Sequence, residues 1–186
     1  MADIVATTGN QAVEVVELDL LSLRSVRRFA QAFAARPEPL HILVNNAGVQ
    51  DGQAGEYQDK LEVVTQTNNL SHFLLTNLLK DKLATAANAR VINVSSLACL
   101  GGKVDLANIN YETGSSQKSL ESNYHNSKMM NVLFSQEPSR RWVDLGITSY
   151  SLSPGLVRWP DNTSPLRTEV SALTNLASQD RGVSTE

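Results

Sequence analysis

Short runs rich in β-branched and apolar residues alternate along this chain with segments of helical length. That alternation limits the possible folds more than any other feature. Residues 13–18 (Val-Glu-Val-Val-Glu-Leu), 41–45, 90–95 and 147–153 read as strands. Ser22 is the expected N-cap of a helix reaching residue 35, with Leu23, Val26, Ala30 and Phe33 on one face and Pro37 and Pro39 beyond its end. A long helix is expected over 59–83. Its apolar set (Val63, Val64, Leu70, Phe73, Leu74, Leu75, Leu78, Leu79) is wider than one stripe, which predicts cover by a sheet and by a second subunit. A further helix is expected over 122–141, and loops over 46–56 and 96–119. The pattern predicts an α/β fold with a parallel sheet.

Composition narrows the class. The 186 residues are 41% hydrophobic, enough for one core, and the net charge of −3 argues against a nucleic-acid surface. No apolar run reaches the ~18 residues of a membrane span. The first ten residues show no basic region followed by an apolar one, so no signal peptide is expected. The single cysteine, Cys99, excludes an internal disulfide, and His41, His72 and His125 lack ligand spacing; no metal is expected. A cytoplasmic location fits these readings.

In parallel α/β sheets ligands bind beyond the carboxyl ends of the strands. Those ends are Asp19, Asn45-Asn46-Ala47-Gly48, Ser95-Ser96 and Pro154-Gly155, all polar or turn-forming. On the helix over 122–141, Tyr124-His125-Asn126-Ser127-Lys128 sets a phenol and an ammonium one turn apart on one face. A free phenol titrates near ~10 and is a poor acid or base at neutral pH. A neighbouring ammonium favours the phenolate and brings such a group toward proton exchange with an alcohol or ketone.

Together these residues resemble the short-chain dehydrogenase/reductase family, and within it the retinol-dehydrogenase-like members, over residues 13–157. The motifs are Asn45-Asn46-Ala47-Gly48, Val94-Ser95-Ser96, Tyr124-x-x-x-Lys128, Asn68, Asp19 and Pro154-Gly155. The resemblance implies a Rossmann-type doubly wound sheet and interconversion of an alcohol and a carbonyl, with apolar substrates expected and NAD or NADP as cofactor. It implies a catalytic set of Asn68, Ser96, Tyr124 and Lys128. Ser96 would hold the substrate oxygen, Tyr124 pass the proton, Lys128 assist Tyr124 and bind the nicotinamide ribose, and the Asn68 carbonyl hold a relay water. Cofactor contacts would come from Asp19, Asn45, Ala47, Gly48, Lys128, Pro154, Gly155 and Val157. A homodimer through the helices over 59–83 and 122–141 is the expected assembly. An epimerase-type relative is disfavoured by Asn45-Asn46-Ala47-Gly48.

The chain also departs from the family. None of its ten glycines form the Thr-Gly-x-x-x-Gly-x-Gly turn that lets backbone amides approach a pyrophosphate. Residues 13–19 correspond to the family's third strand, so strands one and two and the first helix are expected to be missing, with the residue that chooses between NAD and NADP. The family's strand order, 3-2-1-4-5-6-7, then predicts a gap of about 14 Å beside residues 42–45, left open or closed by non-family pairing. Asn69 and Ser71 replace the usual His and Gly beside Asn68, and Arg158-Trp159-Pro160 stands where a cofactor-binding threonine is usual. Pro138 inside the catalytic helix removes a bond to the Phe134 carbonyl, at about 3 kcal/mol unless the helix ends there. The expected organisation is a partial dehydrogenase domain over 1–157 and a polar tail over 158–186: a truncated gene model, a splice form or a decayed copy. Weak cofactor binding is expected. The alternative function is that of a catalytically silent relative, acting by binding or without function.

Overall fold

The computed structural model of the chain describes residues 2–50, 59–110 and 120–155. The readings for Val157 and the tail over 158–186 lie outside them. The elements are α1 (Ala2–Thr8), α2 (Leu23–Ala34), β1 (Ile42–Asn45), α3 (Val63–Thr65), a π-helical turn (Gln66–Leu70), α4 (Ser71–Leu78), α5 (Lys80–Ala84), β2 (Ala89–Val94), α6 (Leu120–Arg141) and β3 (Ile147–Leu152), with short 3₁₀ turns at Leu97–Gly101, Leu106–Asn108 and Val143–Leu145. The three strands form one parallel sheet in the order β1-β2-β3, with helices in each crossover. This is an α/β fold. Asn45 stands opposite Asn93, and Val94 opposite Leu152.

Local signals account for most boundaries. Ser22 caps α2, its hydroxyl accepting from the Ser25 amide. The buried side of α2, Val26 and Ala30, meets Leu75 and Leu79, and Leu18, Leu20 and Phe29 complete that cluster. A second cluster joins Leu83, Ala86, Ala89, Val91, Trp142 and Ile147. Leu40 and Leu43 pack against both, so the start of β1 ties the two halves of the core together.

Two expectations need correction. Residues 13–18 join no ladder and are not a strand; Val15 is 71% exposed. A strand exists only with a hydrogen-bonded neighbour, and β1 pairs with β2 alone among the described residues. Instead Leu18 packs against the α2 cluster, and Arg36 makes two 2.7 Å bonds to the Glu14 carboxylate. Second, the helix expected over 59–83 starts at Val63 and is not continuous. Lys60 has a φ of 53°, outside the right-handed helical region, and the Glu62 carboxylate caps the amides of Val64 and Thr65. The π turn then widens the helix, and Leu79 (φ −96°, ψ 5°) breaks it again. The helix expected over 122–141 is α6, which runs three residues past Pro138 as that range implied. Ser139 anchors this end: its hydroxyl donates to the Ser149 carbonyl (2.8 Å) and accepts from the Ser149 amide (2.7 Å).

Candidate active site

The carboxyl ends of β1 and β2, the π turn and the middle of α6 converge. Lys128, 5% exposed, lies on the inner side of α6. Its ammonium donates to the Val94 carbonyl at the end of β2 (3.0 Å) and lies 5.5 Å from the centre of the Tyr124 ring. Burial holds Lys128 below the ordinary lysine range. Asn131, one turn on, donates to the same Val94 carbonyl (3.2 Å).

Asn68 is the joint of the site. Fully buried in the π turn, it accepts from the Val49 amide through Oδ1 (2.7 Å) and donates through Nδ2 to the Val49 carbonyl (2.8 Å) and to Ser127 Oγ (2.9 Å). The Ser127 hydroxyl donates in turn to the Tyr124 carbonyl (2.8 Å). One amide thus clamps the loop after β1 to α6. Gly48 passes through the narrowest point: a Cβ there would meet Asn68 Oδ1 at 3.2 Å and Lys128 Nζ at 3.4 Å. The Asn68 carbonyl, the expected relay-water acceptor, lies 3.2 Å from His72 Nδ1.

The two adjacent serines differ. Ser95 is buried and donates to the Lys128 carbonyl (2.7 Å). Ser96 is half-buried, and its hydroxyl accepts from the Ala98 amide (3.2 Å) at the start of the following 3₁₀ turn, which leaves its proton to donate elsewhere. Two glycines let that turn close onto α6: a Cβ on Gly101 would stand 2.8 Å from the His125 ring, and one on Gly102 2.6 Å from Met129 Cβ.

The remaining expected residues are dispersed. The Asn45 side chain is buried in the sheet, donating to Thr76 Oγ1 (2.9 Å) and Asn93 Oδ1 (2.8 Å). Ala47 is exposed at the end of β1, and Pro154 and Gly155 (φ 75°) at the end of β3. Asp19 is exposed; its carboxylate accepts from the Leu21 amide (2.9 Å) and borders a cavity of about 150 Å³ with Ser22, Arg24 and Arg28. A cavity of about 470 Å³ lies between the segment around Glu14 and the end of α2, bounded by Phe33, Arg36 and Pro39, and shares no lining residue with the Lys128 cluster. Among the described residues no helix is long and apolar enough to cross a membrane, and no group of His, Cys, Asp and Glu is arranged to hold a metal.

Motif matching missed Ser127, Asn131 and His72. A signal existed for the first two. Asn123, Ser127, Asn131 and Ser135 recur every fourth residue of α6, a buried polar stripe where a packed helix ordinarily carries apolar residues.

Comparison with known proteins shows the family of the chain and its fold. The family model described as short chain dehydrogenase matches residues 1–171. Human retinol dehydrogenase 11 is 42% identical over 160 residues, which is 84% of this chain and 48% of that protein. Human retinol dehydrogenase 13 is 42% identical over 156 residues, 84% of this chain and 46% of that one. The chain therefore spans about half the length of the curated relatives it matches. Among solved structures, an uncharacterized protein from Mycobacterium Paratuberculosis superposes with a TM-score of 0.70 at 35% identity, covering 85% of this chain and 56% of that one. NADPH-bound carbonyl reductase from chicken fatty liver superposes at 0.60 with 22% identity, covering 83% and 61%, a likeness of fold.

Proposed function

We propose, for a chain that belongs to the short-chain dehydrogenase family of oxidoreductases, that it carries the proton-handling half of an NAD(P)-dependent site interconverting an apolar alcohol and its carbonyl. The retinol dehydrogenase relatives make a retinoid alcohol–aldehyde pair the first substrate to test. One observation supports this reading above the rest: a desolvated ammonium fixed between the Tyr124 ring, the Val94 carbonyl and the Gly48 backbone.

The residues fit one end of a nicotinamide dinucleotide. Val94 occupies one of the three N–H bonds of Lys128, which leaves donors for ribose hydroxyls, and Gly48 keeps side-chain bulk out of the space beside it. When bound, the nicotinamide supplies the hydride. Ser96 orients the substrate oxygen by donating its free proton. Tyr124 exchanges a proton with that oxygen, and the Lys128 ammonium favours the negative charge that develops on the phenol oxygen. Asn68 and Ser127 keep α6 in place while this happens.

The pyrophosphate end is different: none of the ten glycines forms the turn whose backbone amides would meet the phosphates, and the exposed Asp19 carboxylate adds negative charge. That observation supports a second reading, a silent relative that binds cofactor in the millimolar range or worse. Calorimetric titration with NADH and NADPH, and retinal reduction at millimolar cofactor, separate the two. Measurable turnover abolished by Tyr124→Phe supports the enzyme; turnover surviving that change overturns the mechanism; absence of turnover favours the silent relative. For assembly, we propose a second copy seated on the apolar face formed by Phe73, Leu78 and Leu133 of α4 and α6, where Phe73 (48% exposed) meets the Phe134 ring at 5.1 Å. Sedimentation of wild type against Phe73→Glu tests it: loss of a dimer is expected, and a wild-type monomer overturns it.

A further inference from the structure

His72 is a buried titratable group that the mechanism above does not use. It sits one turn after Asn68, on the first helical turn beyond the π turn. Its Nδ1 lies 3.2 Å from the Asn68 carbonyl. A carbonyl only accepts, so this bond requires the proton on Nδ1, which fixes the tautomer of a neutral ring. The His72 backbone is fixed too, its carbonyl accepting from Thr76 Oγ1 (2.8 Å), and Thr76 Oγ1 receives the Asn45 amide (2.9 Å). Burial first, and the Lys128 ammonium in addition, disfavour the charged ring, while the Asn68 carbonyl opposes them.

A π turn widens the helix and weakens its regular hydrogen-bond ladder. Here the amide of Ser71 reaches back to the carbonyl of Gln66. Within this widened turn Asn68 must hold three side-chain bonds at once, two to Val49 and one to Ser127. Those bonds are satisfied together only if the Asn68 backbone keeps one orientation, and the His72 ring fixes its carbonyl from below.

We propose that His72 is a positioning residue: its Nδ1–H holds the Asn68 carbonyl, and through it the clamp that sets the Gly48 backbone against Lys128. Its importance for function rests on the reading of Asn68 and Lys128 given above, but the bond and its structural effect are testable without cofactor or turnover. Asn places an amide N–H near the position of Nδ1 and is the conservative replacement; Phe keeps the ring and removes the donor.

The test is hydrogen exchange at the Val49 amide, which bonds to Asn68 Oδ1 and has no bond to His72. In His72→Phe, Val49 exchange is expected to quicken tenfold or more relative to core amides such as Val91. In His72→Asn it is expected to return to within threefold of wild type. Equal acceleration at Val49 and Val91, or no acceleration, overturns the proposal, because a residue that only fills space loosens the whole core or nothing. Nitrogen NMR of the unaltered chain gives a second measurement that no folding defect can obscure. The Nδ1–H tautomer of His72 is expected, and the Nε2–H tautomer overturns the proposal. Failure of cofactor binding or turnover would remove the proposed function and leave these readouts intact.

Discussion

Lys128 and Asp19 are both matched to the same family pattern, yet the fold builds their surroundings in opposite ways. Around Lys128 the polar groups belong to four elements and are held by one another: Val94 and Ser95 at the end of β2, Asn131 on α6, Asn68 in the π turn, Gly48 after β1. Around Asp19 the described bonds are local, to residues within six positions along the chain. A charge fixed in a dry, packed setting acts strongly on its neighbours, whereas an exposed one is screened by water and salt. A motif residue gains its chemistry from the elements that bury it, and only the Lys128 region has those.

The contrast can be broken most directly at Tyr124. Tyr124→Phe is expected to lower kcat/KM by about 10³-fold, equivalent to about 4 kcal/mol, without changing the melting temperature. Asp19→Ala is expected to change it less than about tenfold, through KM. Steady-state kinetics on both variants reverses the comparison if Asp19→Ala is the more damaging. Next in size is Asn68→Ala, which removes three hydrogen bonds and strands the Val49 backbone; a loss of about 3 kcal/mol in urea unfolding is expected. Asp19→Ala should cost less than about 0.5 kcal/mol in the same measurement.

A smaller effect separates the regions by pH. The folded value of His72 lies below that of the unfolded chain, so the unfolded state binds the proton first as pH falls. The contribution of His72 is therefore present above about pH 6.5 and is lost as pH drops from there toward the folded value. Subtracting the unfolding curve of His72→Phe from that of the wild type between pH 7 and 5 should isolate this loss; a flat difference contradicts it. The smallest change is expected at Glu14. Its ion pair with Arg36 is exposed at both partners, so Glu14→Gln should leave the urea midpoint unchanged within error.

Sequence patterns located β1, β2, β3, α2 and α6 to within two residues because each is announced locally, by β-branched runs, by the Ser22 cap or by helical periodicity. They failed where structure depends on distant partners. Residues 13–18 have the composition of a strand, but pairing is not a property of composition. The interruption at Gln66–Leu70 rotates the inward face by about 100°, and in the sequence this shows only as an apolar set wider than one stripe, which reads equally as a continuous helix covered on two sides. In the site, Tyr124 and Lys128 were legible as residue types at helical spacing. The side-chain partners of Asn45 were not: the match implied a cofactor contact at that position, while the bonds of its side chain to Thr76 and Asn93 inside the sheet depend on elements distant in sequence.

That last placement bears on how the chain finds its native alignment. Asn45 and Asn93 lie side by side only when β1 and β2 are paired as observed. A slide of two residues keeps every side chain on its proper face, so hydrophobic burial alone would barely resist it. It would, however, set Asn45 beside Val91 or Ser95 and leave buried amides without partners, at about 1–3 kcal/mol for each stranded group. The two asparagines thus favour the observed register over a slid one. What they protect is the level arrival of two strand ends, one leading to Gly48 and the other ending at Val94, both beside the ammonium of the same lysine.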